Sequence, residues 1–396
     1  MIFHGEPLSL VSYAGYNRGH CGYCGRSDGS ESFGLVAHSL SVHVYQALID
    51  RGWRRSGTYI YKPNLRTSCC KLYTIRLDAE SFAGNTSKDQ RQALHKFNRV
   101  VLGQELEHTL AARKQKALRN VFSLQSSVHA AEYSIALPSE PDHKLTITLA
   151  LSKFSQEKFL LFQAYQRSVH RDRSTERGFK RFLCDSPLEP IGTKGDCRLM
   201  GSYHQEYRLD GILIAVGFLD LLPHGVSSVY FIYHPDFASM SLGRVSACRE
   251  ACLAEEKSYR CYYMGFYIQT CQKMRYKGEY KPSFLLDPES YDWIDFQTYS
   301  KAIKTSPYYT FQPSIPQADA EGDDEVDLLH SHMPGIMGSA EVLAQDHGKI
   351  HVLDGRTVMP AKVSKRVFDG HEYSMEYTDF VSAVGSQLAT EIVLVI

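Results

Sequence analysis

Four of the ten cysteines stand where they can act together. "CGYC" holds Cys21 and Cys24 two residues apart, and "TSCCKLY" puts Cys69 and Cys70 side by side. Such a set has three uses: two disulfides, one metal site, or four unrelated core positions. Four thiolates can surround a metal tetrahedrally, and the CxxC spacing is the usual loop geometry for zinc. The vicinal pair is harder to use. Neighbours in a strand point to opposite faces, so Cys69 and Cys70 can both ligate only where the backbone turns. Soft thiolates suit zinc and an iron–sulfur cluster alike. Cys248 and Cys252, four apart on a predicted helix, share a face and read as small buried hydrophobes. Cys184, Cys197, Cys261 and Cys271 stand alone and read the same way.

The chain's 396 residues allow two or three domains with a sizeable core. Hydrophobic content of 43% and charged content of 22% are ordinary for a soluble globular protein. No stretch offers the ~18 apolar residues of a membrane span. The opening "MIFHGEPLSLVSYAGYNRGH" has no basic region followed by an apolar run, so no secretory leader is expected. The expected location is the cytoplasm, with the nucleus as a second site, and reduced thiols there disfavour the disulfide reading. Lys+Arg and Asp+Glu both number 44, so net charge gives no hint of a nucleic-acid partner, although local patches remain. Twenty-five Tyr against two Trp suit a polar, aromatic-lined cleft.

The elements that must position these residues divide the chain into four. Residues 1–80 read as short, irregular structure with little core, a small cysteine-rich domain held together by metal. Within them "HSLSVHVYQALIDRGW" is a helix with a Ser cap and Gly52 as its stop, and "RSGTYIYKPN" and "LYTIRL" are short strands. Residues 81–150 form a basic helical segment: Ser87 to Asn120 carries eight Lys/Arg against three Asp/Glu. It reads either as a solvated helix pair or as a phosphate-binding face. Residues 151–300 begin with a helix at Ser155, followed by a basic stretch from Arg167 to Arg181. Strands then flank Asp210-Gly211, a strong hairpin signal, and "VSSVYFIYHP", the helix "SLGRVSACREACLAEEK" and "CYYMGFYI" follow. A hairpin followed by strand–helix–strand resembles the core order of the GNAT acyltransferase fold, so the expected class is α+β. Residues 301–396 are a tail with an acidic loop at 319–327, expected to pack back on the catalytic domain, and "VLVI" is its last strand.

Nucleotide-phosphate loops, dinucleotide fingerprints, the G-x-S-x-G elbow and H-E-x-x-H are all absent. Where a coenzyme-A-dependent GNAT enzyme carries a Gly-rich loop, "HPDFASMSLGRVSA" has only Gly243. Eight blocks, including "CGYC", "DRGWRRSGTYIYKP", "YQRSVHRD", "GFKRFLCDSPL", "GSYHQEYRLDG" and "YYMGFYIQTCQKMRYKGEYKPSFLL", resemble the arginyl-tRNA–protein transferases of eukaryotes. The resemblance covers roughly residues 10–80 and 155–296, and 81–150 is where such proteins vary. It implies transfer of arginine from arginyl-tRNA to N-terminal Asp, Glu or oxidised Cys, marking the product for a ubiquitin ligase of the N-degron pathway. It also implies that Cys21, Cys24, Cys69 and Cys70 form a zinc or iron–sulfur site. The alternatives are a coenzyme-A acetyltransferase with a zinc module and a non-enzymatic RNA- or protein-binding adaptor.

Aminolysis of an activated ester needs a proton acceptor, an oxyanion donor, an anion for arginine, and cations for tRNA and acceptor. Asp220, an acid in the apolar "ILIAVGFLDLL", could pair with the substrate's cation, or be paired internally. Gln205 and His204 could orient the amine or take its proton; satisfied core polar residues are the plainer alternative. Tyr262, Tyr263 and Tyr267 could stack on the terminal adenosine, with Tyr262 and Tyr263 facing opposite ways. Lys273, Arg275 and Lys277 could meet the acceptor's carboxylate or phosphate. Arg54, Arg55 and Lys62 form the alternative acceptor set. Lys114, Lys116, Arg171 and Arg173 are expected along the tRNA path.

Overall fold

The structure is a computed structural model that describes residues 2–3, 6–116, 122–134, 136–192, 198–312 and 328–396. Cys197 and the acidic loop 319–327 lie outside the described residues, as do the side chains of Lys114 and Lys116. No helix among the described residues is long and apolar enough to cross a membrane.

A short ladder, β1 (Ile2–Phe3) with β2 (Glu6–Pro7), opens the chain. Two long strands follow, β3 (Ser9–Gly19) and β4 (Ser30–Ser39), then helix α1 (Val42–Ile49) and the hairpin β5 (Arg54–Ser56) and β6 (Tyr59–Pro63). Ser41 caps α1 by accepting the amide of Val44, and Gly52 takes the positive φ that ends the turn. β7 (Tyr73–Asp78) leads into a helical stretch: α2 (Ala79–Asn85), α3 (Lys88–Leu102), α4 (Gln104–Lys116) and α5 (Leu124–Val128). Ser87 and Gln90 make a reciprocal capping box on α3.

β8 (Leu145–Leu151), α6 (Gln156–Tyr165) and α7 (Glu176–Phe179) precede the hairpin of β9 (Gly201–Leu209) and β10 (Ile212–Leu222). Asp210 and Gly211 both carry positive φ, 52° and 85°, as a two-residue hairpin turn requires. β11 (Gly225–Tyr233), α8 (Leu242–Glu256), β12 (Cys261–Tyr267), α9 (Gln272–Arg275), β13 (Ser283–Leu286), β14 (Trp293–Asp295) and α10 (Phe296–Thr305) come next. The tail holds α11 (Ser339–Leu343), β15 (His351–Asp354), β16 (Thr357–Pro360), α12 (Met375–Val384), α13 (Ser386–Glu391) and β17 (Ile392–Val395).

Two sheets carry the fold, which is α+β with the strand–helix–strand core of an acyltransferase. One has eight strands in the order β14-β13-β7-β12-β11-β10-β9-β8, the other seven in the order β16-β15-β17-β3-β4-β6-β5. A boundary at residue 80 therefore misses the pairing, because β7 lies inside the eight-stranded sheet, between β12 and β13. The tail contacts residues 151–300, where Gly335 donates its amide to Glu289 Oε2 (2.8 Å) and accepts from Tyr291 Oη, but its last strand joins the other sheet: β17 runs parallel to β3. Residues 1–80 are not short of core either. Phe33, Leu35, Tyr45 and Trp53 pack with Tyr377, Phe380, Leu388 and Leu394 from the tail, so apolar burial holds this module and a metal is not its only support.

Candidate active site and metal centre

The turn that frees Cys69 and Cys70 is written in "PNLRTSCC". Asn64 Oδ1 accepts the amides of Arg66 (3.0 Å) and Thr67 (3.4 Å), its short side chain mimicking a backbone turn. Glu31 of β4 accepts from Thr67 Oγ1 (2.7 Å) and donates its amide to Ser68 Oγ (3.0 Å). Cys69 then donates its amide to Gly29 O (2.8 Å), and a Cβ on Gly29 would fall 2.5 Å from Cys69 Sγ, so that position must be glycine. Outside any strand, both cysteines turn the same way. On the other side, Gly25 N donates to Cys21 O and Cys21 N to Arg26 O, each at 2.9 Å, closing the CGYC loop.

All four Sγ atoms lie within 4.8 Å of one another, with Cys24 and Cys69 at 3.2 Å. Zinc–sulfur bonds of ~2.3 Å put tetrahedral sulfurs about 3.8 Å apart, so small adjustments seat one ion. The Arg26 amide and then Cys69 draw the exposed Cys24 thiol down to about 7, while burial pushes Cys69 up to about 11 and Cys70 higher still. One thiolate is thus ready first, and a cation would bring down the others. Cys21 and Cys70 pack on Ile268, with Cys271 and Met274 against them, at the turn that leads from β12 into α9.

That turn borders a wedge in the eight-stranded sheet. β11 and β12 pair in parallel only between Gly225–Ser227 and Cys261–Tyr263. Beyond this point β11 continues to Tyr233, whereas β12 shifts register against β7 around Gly265, at φ +79°. At the end of α6, "YQRSVH" leaves the α-helix for a π turn over Gln166–His170, closed by Arg171 at φ +56°. Tyr165 meets Tyr233 and Tyr230 (ring centroids 5.2 and 6.3 Å), and His170 Nε2 lies 3.2 Å from Tyr230 Oη. Burial, then Lys273, holds the His170 imidazolium below its ordinary value. Arg167, Arg171, Arg173, Arg177, Arg181, Lys273 and Arg275 are all exposed, and the charge of Lys273 reaches His170. Aromatic walls with a basic rim suit a single-stranded nucleic-acid end.

This wall was not among the expected residues. Tyr262, Tyr263 and Tyr267 are all buried. Tyr262 donates to Glu250 Oε2 (2.6 Å), Tyr263 to Asp50 Oδ1 (2.7 Å) and Tyr267 to Gln269, so none offers a face to a base. β12 is interior to the sheet, which its sequence alone does not reveal. Tyr165, His170, Tyr230 and Tyr233 meet at the wedge instead, and only the Tyr-rich composition hinted at them.

Asp220 is fully buried and already engaged. Its carboxylate takes both Arg55 Nε and Nη2 at 2.7 Å, and Ser202 Oγ at 2.6 Å, leaving no face for a substrate cation. His204 and Gln205 point to opposite faces of β9 and cannot serve one reacting atom. His204 Nδ1 sits 3.0 Å from Lys158 Nζ, and its Nε2 is 3.0 Å from both Ser152 Oγ and Leu183 O. Burial and Lys158 hold it down to about 4, so it is a neutral packing group. Gln205 accepts from Tyr207 Oη at 2.7 Å beneath α8.

Of the expected cations, Lys62 is buried against Tyr291 and Arg55 is held by Asp220. Arg54 and Lys277 differ. Arg54 donates to Trp53 O (2.9 Å), lies over the Phe266 ring (5.4 Å) and leaves Nε without a partner. Lys277 Nζ donates to Phe266 O (2.7 Å), and burial, with Arg54 beside it, pulls its ammonium down to about 7. Among the described residues neither has a carboxylate within ion-pair distance.

Residues 19–92 match the family profile described as "Arginine-tRNA-protein transferase, N terminus", and residues 157–287 the one described as its C terminus. Arginyl-tRNA–protein transferase 1 of Drosophila melanogaster is 32% identical over 72% of this chain and 82% of its own length. Its Arabidopsis thaliana counterpart is 26% identical over 87% of this chain and 80% of its own. The aspartate/glutamate leucyltransferase of Pseudomonas putida is 28% identical over 67% of this chain and 89% of its own.

Proposed function

The chain belongs to the arginyl-tRNA–protein transferase family and transfers arginine from tRNA to proteins; we propose that it selects acceptors whose N-terminus is Asp, Glu or oxidised Cys. The observation that supports this is the pair Arg54 and Lys277, two buried cations with no carboxylate within ion-pair distance among the described residues. A buried charge needs a counter-charge, and an acidic acceptor side chain supplies one beside the wedge. The Pseudomonas putida relative is named for aspartate and glutamate acceptors but moves leucine, which fits an acceptor pocket retained while the donor pocket differs.

The chemistry asks little of the protein. The acceptor amine, with an ordinary pKa near 8, is ~10% neutral at pH 7 and attacks the ester carbonyl carbon. The tetrahedral adduct loses its proton and expels the terminal ribose hydroxyl. Holding the two partners together can supply ~7–11 kcal/mol of the barrier reduction. The basic rim at Arg167–Arg181 and the rings of Tyr165, Tyr230 and Tyr233 take the RNA end. Cys21, Cys24, Cys69 and Cys70 hold a zinc ion or an iron–sulfur cluster. Zinc held by these four thiolates would serve as a structural brace. The product, exposing an N-terminal arginine, goes to a ubiquitin ligase of the N-degron pathway, in the cytoplasm and nucleus.

Incubation with arginine-labelled arginyl-tRNA and peptides starting with Asp or Asn tests this. Label should enter the Asp peptide at least about 10²-fold faster. Arg54→Met should collapse that ratio while arginyl-tRNA affinity stays within about twofold. Transfer without an acid preference in the wild type would refute the acceptor assignment.

A further inference from the structure

With Asp220 saturated, a different acid stands at the wedge. Glu250 lies on the inward face of α8 and is 1% exposed. Its oxygens accept from the hydroxyls of Ser246 and Tyr262, with Ser228 as a third neutral partner. Among the described residues no Lys, Arg or His comes within ion-pair distance of it. Asp287 is also buried without a cation, but it caps a loop through the amides of Glu289, Ser290 and Phe311. Glu250 has no amide donors and no such duty.

Its position gives it one. Ser228 is the first residue of β11 past its last pair with β12, and Tyr262 lies within the paired stretch. The carboxylate therefore sits at the crotch of the wedge. Ser228, its third partner, is half-buried, and Tyr276 is 39% exposed. Burial, then the Glu250 carboxylate, pushes the Tyr276 hydroxyl up to about 12. Across the sheet, a Cβ on Gly217 would come 3.2 Å from Glu250 Oε1, so glycine keeps the space around that oxygen clear.

We propose that Glu250 is the specificity-determining residue that holds the guanidinium of the donor's arginine. The assignment rests on the transferase reading above. A planar guanidinium can engage both carboxylate oxygens at once, and its charge is what a desolvated carboxylate held only by hydroxyls lacks. A neutral aminoacyl group leaves Glu250 buried and unpaired, so discrimination comes from the penalty on the wrong donor as well as the gain on the right one.

The test uses full-length, metal-loaded protein, an Asp-starting peptide, and tRNA charged with arginine or with citrulline, whose ureido group is the uncharged isostere. The wild type should prefer arginine by at least about 10³-fold. Glu250→Gln should shrink that preference to within about tenfold, chiefly by losing arginine transfer. Retained metal content and unchanged affinity for uncharged tRNA would show that the variant is folded. Should Glu250→Gln not fold, Gly217→Ala serves instead, because its methyl crowds Oε1 and should lower the same ratio. If both donors fall equally and the preference survives in either folded variant, the assignment is overturned. A wild type that transfers neither donor overturns the transferase reading and this assignment with it.

Discussion

Lys277 and Arg54 share one buried place, but pH acts on only one of them. The lysine titrates near 7 in the folded protein against 10.5 for an unburied one. Between those values the unfolded chain binds more protons than the native one, so this group's contribution to stability rises with pH across that window. Its contribution to function should run the other way, since losing the proton removes one of the two charges that meet an acidic acceptor. The ratio of kcat/KM for Asp- over Asn-starting peptides should therefore fall as pH rises through about 7. Titration of the acceptor amine is common to both peptides and cancels. Lys277→Met should flatten the profile, and a flat wild-type profile would place the acceptor's carboxylate elsewhere. Asp220 answers to a different measurement. Replacing it with Asn strands Arg55 in the interior, and loss of one partner of a buried pair typically destabilises by about 3–5 kcal/mol. Urea unfolding should show that loss, with donor preference unchanged.

At the scale of elements, local signals were legible and long-range pairings were not. The Ser caps of α1, α3 and α6 and the Asp210-Gly211 turn are written within a few residues, because the physics that sets them is local. The cysteine site could be read for the same reason: each half is a short motif. β3 and β4 read as irregular structure from sequence because register shifts near Leu10 and Tyr13, and the glycines at 15 and 34, break the alternation that betrays a strand. Asp220 could be noticed as an acid in an apolar strand. Its partner Arg55, 165 residues away, could not. The same blindness hid the pairing of β17 with β3, and that pairing can be tested. Leu394 is fully buried on β17 between β3 and β15, so Leu394→Ala should destabilise by about 2–5 kcal/mol. An unchanged urea midpoint would mean that β17 contributes little to the seven-stranded sheet.

Over the whole molecule, a net charge of zero conceals a division of labour. Arg167, Arg171 and Arg173 face solvent at the end of α6, while Arg54 and Lys277 are buried beside β12. Each phosphate neutralised contributes roughly 0.7–0.9 to the salt slope of binding, so charge reversal at Arg171 and Arg173 should flatten the slope for tRNA by about one to two. The metal module belongs to the other wall. Its cysteines pack on Ile268, Cys271 and Met274, at the turn into α9, and Lys277 follows a few residues later. Tyr61 of the same module reaches the Phe266 ring, over which Arg54 also lies. Removing the metal would leave four thiols, two of them buried, without their brace, and the nearest structure free to shift is this turn. A displacement of about 1 Å at a positioning group can reduce rate by ~10²-fold. Chelation, or Cys70→Ser with its metal content lowered, should therefore raise KM for an Asp-starting peptide about tenfold or more. Uncharged tRNA, held mainly by the opposite wall, should keep its affinity within about twofold. If tRNA affinity and peptide KM worsen together, the cysteine module supports the whole wedge rather than its acceptor side.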